Sequence, residues 1–119
     1  MQEEAFLRDY PEATWMALPQ GGVVVTVPGI PLQGWSKPNT TVYFVLPLGY
    51  PAAKPDCFYV DADVRLPSGA LPHASGMQQV PGLNINALWF SWHVEAWNPN
   101  SGSALTWMGV IRQRLQKCQ

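Results

Sequence analysis

A chain of 119 residues with a formal net charge of −1 has the size of one domain and no electrostatic pull toward nucleic acid or an anionic membrane. Hydrophobic residues make up 47% and charged residues only 13%, which excludes a disordered chain and predicts apolar surface patches of the kind that partners use. No apolar run approaches the roughly 18 residues of a membrane span, the start Met1-Gln2-Glu3-Glu4 is acidic rather than signal-like, and Cys57 and Cys118 show no pairing pattern, so a cytoplasmic protein with reduced thiols is expected.

In chain order, residues 3–10 predict a short helix. Glu3 and Glu4 suit its positive end, Phe6, Leu7 and Tyr10 give it an apolar side, and Pro11 ends it or opens a further turn through Trp15-Met16-Ala17-Leu18. Pro19-Gln20-Gly21-Gly22 is a break. Val23-Val24-Val25-Thr26-Val27 is a strand by its β-branched content, ended or bent by Pro28-Gly29-Ile30-Pro31-Leu32, and Thr40 to Leu46 is a second strand. The link between them is loop-like, so they are expected to be antiparallel neighbours. Pro47, Pro51 and Pro55 recur every four residues and make a stiff connector. Asp56 to Val60 reads as a third strand, extended through Val64-Arg65-Leu66. Residues 67–82 are rich in Pro, Gly and Ser and read as a long loop that holds His73. An aromatic stretch follows over residues 83–99. Residues 101–117 form the best helix, capped by Ser101 or Ser103. Its apolar stripe is Leu105, Met108, Ile111, Arg112 and Leu115, and Arg112, Arg114 and Lys117 sit in the last turns. Strands followed by a helix give an α+β class: an antiparallel β-meander with the N-terminal and C-terminal helices packed on one side.

Two local patterns give this order a likeness. Leu48-Gly49-Tyr50-Pro51-Ala52-Ala53-Lys54-Pro55 is similar to the "YPxxPP" segment of ubiquitin-conjugating enzymes, with Lys54 in place of one proline, and Trp97-Asn98-Pro99 resembles the "WxP" that precedes a helix there. Leu46 to Val60 follows "LPxGYPxxxPDxFYV", Arg65-Leu66 follows a later "RL", and Phe90 to Pro99 follows "WSxHxxxWxP". These are similar to the bacterial UBC-like group called prokaryotic E-two family E. The resemblance covers about residues 20–117 and implies a single UBC-like domain over 1–119. It also implies a place in a ubiquitin-like conjugation pathway, beside a ubiquitin-like protein, an adenylating activating enzyme and a JAB-type metalloprotease. The chain departs from ordinary conjugating enzymes in having neither the cysteine upstream of the WxP nor a His-Pro-Asn motif at the matching positions. For members without that cysteine, transfer through an oxyester on serine is implied.

The residues themselves put the chemistry at Ser91 and His93. A serine hydroxyl needs a base to become a nucleophile, and histidine is the base suited to neutral pH. Residues two apart share a face only on extended backbone, about 7 Å apart, so residues 90–94 must be extended or irregular. Asn84, Asn86 and Asn98 or backbone N–H groups could hold an oxyanion, and Glu95 or Asp61 could orient the imidazole. Trp92, Trp97, Asn98 and Tyr50 are the candidate binding residues, and the tryptophans together could frame an aromatic surface. His73 reads as an inert loop histidine, Cys57 as a small core residue and Cys118 as a tail thiol. Asp56, Asp61 and Asp63 lack the spacing of a metal loop, and no cofactor motif is present, so no metal and no cofactor are expected. Two other readings remain: a non-catalytic adaptor that binds the ubiquitin-like protein or the activating enzyme, and a Trp-rich module for glycans or peptides.

Overall fold

The computed structural model describes residues 2–94 and 96–119. Helix α1 (Gln2–Asp9) leads into strands β1 (Thr14–Ala17), β2 (Val23–Pro31), β3 (Asn39–Leu46), β4 (Phe58–Asp61), β5 (Ser75–Val80) and β6 (Ile85–Phe90), and helix α2 (Ala104–Leu115) follows. The strands form one antiparallel sheet in the order β1-β2-β3-β4-β6-β5. Both helices lie on one face. The architecture is the expected α+β arrangement.

Period-two alternation sorts the central strands onto two faces. Val42, Phe44 and Leu46 of β3 join Val25, Val27, Phe58, Val60, Leu88 and Phe90 beneath the helices, against Phe6, Trp107, Met108, Ile111 and Leu115. Tyr43 belongs to a smaller cluster on the other face with Leu18, Val24, Val80 and Ala87. Phe6 of α1 meets Phe44 edge-on at 6.2 Å, and Phe58 stacks on Phe90 across β4 and β6 at 4.7 Å. Trp107 is wholly buried, and its indole N–H has no hydrogen-bond partner among the described residues.

Three expectations need correction. Trp15-Met16-Ala17 is strand β1, not a helical turn, and pairs with Val23 to Val25. Of the two courses expected at Pro28-Gly29, β2 takes the bend: the register shifts between Val27 and Ile30, with Gly29 at φ +73°, a conformation glycine adopts without penalty. The long loop over 67–82 contains a full strand, β5, joined to β6 by a turn through Asn84 at φ +53°. Residues 64–66 do not extend β4; the Val64 N–H instead donates to the Asp61 carbonyl in a turn.

Helix α2 begins at Ser103, whose hydroxyl accepts from the Thr106 N–H at 3.2 Å. Its buried side chains include Ala104, Trp107 and Arg114, whereas Arg112 is exposed. Arg114 therefore does more than complement the helix dipole. Its guanidinium lies over the rings of Phe90 and Trp92, at 5.0 and 5.2 Å. It donates to the carbonyls of Lys117 (2.8 Å), Gln119 (2.7 Å) and His73 (3.2 Å). Burial pushes its pKa below the ordinary arginine value.

Candidate functional site

Residues 91–94 and 96–99 follow β6 as irregular chain and run past the proline connector before α2 begins. Contacts among the described residues hold the two segments together. The Trp97 indole N–H donates to the Pro51 carbonyl at 2.8 Å, the Tyr50 and Trp97 rings meet at 6.4 Å, and Lys54 Nζ donates to the Val94 carbonyl at 3.0 Å. The Tyr50–Pro51 peptide is cis. Burial raises the Tyr50 pKa. Asn98 is exposed, and its side-chain oxygen accepts from the Asn100 N–H at 2.9 Å, so it shapes the approach to α2.

Gly102 closes this corner. A Cβ there would stand 2.6 Å from two indole carbons of Trp97 and 2.8 Å from the Asn98 carbonyl oxygen. Gly102→Ala must displace the indole or the turn, and a loss of about 1–3 kcal/mol is expected, measurable as a lower denaturant midpoint with an unchanged slope.

The imidazole finds its partners across the sheet. Phe58 sits opposite Phe90, so an unbroken ladder would bring Cys57 opposite Ser91 and Asp56 opposite Trp92. Instead the Cys57 N–H donates to the Trp92 carbonyl at 2.8 Å, with Cys57 in the left-handed region at φ +62°. The pairing has slipped by one residue, as in a β-bulge, and Asp56 meets His93. The Asp56 carboxylate is hydrogen-bonded to Nδ1 of His93. A ligand-type atom from each of Asp56, Cys57 and His93 lies within 4.8 Å of the other two. A left-handed backbone at a residue with a Cβ costs on the order of 1–2 kcal/mol, so the slip is held by its surroundings. Burial is the main cause that pushes the Cys57 thiol up; hydrogen bonds from the Trp92 backbone and the Trp89 side chain pull it down, and the charge of Asp56 pushes it up.

Ser91 is half-buried just past the end of β6, and its backbone N–H donates to the Ala74 carbonyl at 2.8 Å. No hydrogen bond joins its hydroxyl to His93 among the described residues. Trp92 is half-buried beneath the Arg114 guanidinium. Asp61 is paired with Lys37 at 3.0 Å, with Asp63 on the same ammonium at 2.9 Å, so Asp56 takes the orienting place expected of Asp61. Glu95 lies outside the described residues. Asn84 and Asn86 flank the β5–β6 turn, and Asn86 is about 17 Å of strand from Ser91, too far to hold an oxyanion there. His73 is exposed. None of the six tryptophans is exposed: Trp35 and Trp107 are buried and the other four half-buried, so they form no open aromatic platform.

An antiparallel sheet in which β6 is inserted between β4 and β5, so that the expected meander holds only from β1 to β4, with helices on one face, a proline connector strapped to a tryptophan ahead of the last helix, and an imidazole at the sheet's end, define an E2-like protein. The chain belongs to prokaryotic E2 family E, whose model matches residues 2–118. No curated protein and no solved structure matches it. Membership makes this an E2-like component of ubiquitin-like conjugation, a setting whose partners are a ubiquitin-like protein and its activating enzyme. No helix among the described residues is long and apolar enough to cross a membrane.

Proposed function

We propose that the protein accepts the C-terminal acyl group of a ubiquitin-like protein from the activating enzyme and passes it to an amine, in a pathway that also contains a JAB-type metalloprotease. The observation that carries this reading is the His93–Asp56 pair at the end of the sheet. With Nδ1–H donating to the carboxylate, Nε2 keeps its lone pair and can take a proton. The nucleophile attacks the thioester carbonyl on the activating enzyme, its proton passes to Nε2, and the enzyme's thiolate departs.

In the first version Ser91 is the nucleophile and the carrier is an oxyester. The second version is favoured by the clustering of the Cys57 sulfur with His93 and Asp56: there the carrier is a thioester, outside the usual cysteine position. In either version Trp97, Tyr50 and Asn98 shape the rim against which the incoming tail lies, and Trp92 backs the site.

One experiment tests these. The chain is mixed with the activating enzyme, ATP and the ubiquitin-like protein, and an adduct is sought on non-reducing gels. An adduct that resists thiol reductant, yields to hydroxylamine and disappears in Ser91→Ala supports the oxyester. One that is cleaved by reductant and disappears in Cys57→Ala supports the thioester. Binding of either partner with no adduct overturns the carrier role and leaves a docking protein of the same shape.

A further inference from the structure

The geometry points to a zinc site formed by Asp56, Cys57 and His93, with a solvent-facing position left for water. A thiolate, an imidazole and a carboxylate are together the donor set of zinc, whose ligand distances of about 2.0–2.3 Å place neighbouring donors roughly 3.5 Å apart in a tetrahedron. The three donor atoms already lie within 4.8 Å of one another. The remaining adjustment is small, because the Asp56 and His93 side chains are 52% and 57% exposed and can rotate. The sulfur is the fixed corner. Its backbone is pinned to Trp92 by the 2.8 Å hydrogen bond, and the Trp89 side chain hydrogen-bonds to it.

Spacing along the chain cannot reveal this set. Asp56 and His93 are 37 residues apart, and only the one-residue slip at Cys57 brings them together. Three protein donors on an open rim match a zinc that keeps an exchangeable ligand rather than a closed four-donor structural site. Binding is a substitution: zinc displaces the thiol proton to solvent, the sulfur–metal bond forms, and no oxidant or reductant takes part. A zinc-held imidazole has no lone pair for an acyl-transfer proton, so metal and transfer would exclude each other. The site rests only on the three side chains, and either it or the conjugation role can fail alone.

The test is titration of the full-length, reduced chain with cobalt(II), followed by back-titration with zinc. Expected are a thiolate-to-cobalt charge-transfer band in the near ultraviolet and tetrahedral bands in the visible that saturate at one equivalent and vanish on adding zinc. Cys57→Ser should abolish the charge-transfer band, His93→Gln should weaken binding at least tenfold, and Cys118→Ser should leave both unchanged; far-ultraviolet circular dichroism checks that each variant is folded. No charge-transfer band, a band that survives in Cys57→Ser, one that vanishes in Cys118→Ser, or binding indifferent to His93→Gln would overturn the proposal.

Discussion

His93→Ala is expected to slow formation of the acyl adduct by about 10²–10⁴-fold, the usual contribution of a positioned general base. The loss should be larger if oxygen carries the acyl group, because a thiol ionises in part without the imidazole and a serine hydroxyl does not. Asp56→Asn should cost less, since the amide can still contact the ring but does not favour an imidazolium. Combining the two changes should be less than additive, because the carboxylate acts only through the ring. Single-turnover rates with preloaded activating enzyme measure this directly. A variant His93→Ala that is charged as fast as the parent would remove the imidazole from the chemistry. Binding of the activating enzyme should be little changed, as the side chain is more than half exposed and lies at the end of the sheet.

Trp107→Ala should produce the largest loss of stability, about 3–5 kcal/mol. The side chain is wholly buried in the seam between α2 and the sheet, and its removal leaves a cavity that Met108 and Ile111, fixed on the same helix, cannot fill. For a domain of this size the melting temperature should fall by more than about 10 °C. Trp107→Phe should cost much less than the lost volume suggests, because it also removes an indole N–H with no partner among the described residues. Thermal and denaturant unfolding of the two variants test the pair; equal losses would show that the N–H is satisfied in solution.

The central strands were legible because they are apolar in a pattern their burial demands. Val23 to Val27 and Thr40 to Leu46 are covered on both faces, and β-branched and aromatic residues follow. Thr14–Ala17 and Ser75–Val80, whose residue types do not announce strands, are the margins of the sheet. A margin strand has one partner and much solvent; Met77, Gln78 and Gln79 are all exposed, so no alternation is required of them. The backbone hydrogen bonds to β6 alone define β5, and these leave no mark on composition.

The site divided in the same way. His93 stands out as a polar group among tryptophans, and the condition that residues 90–94 be extended or irregular is met by the irregular chain at 91–94. Its real neighbours were invisible, because they arrive across the ladder from a segment read as ordinary strand. A regular β4 would have turned Cys57 toward Ser91 and left Asp56 beside Trp92. The left-handed turn of one cysteine decides which groups share the rim, and residue type alone does not announce it.

The Arg114 guanidinium acts as a keystone. It lies over the ring of Trp92, the residue next to His93 in the chain, and also ties down the carbonyls of residues 73, 117 and 119. Residues 117–119 and the loop at His73 are thus tied through one guanidinium to the rim that holds His93. A bulky label on Lys117 would be felt there.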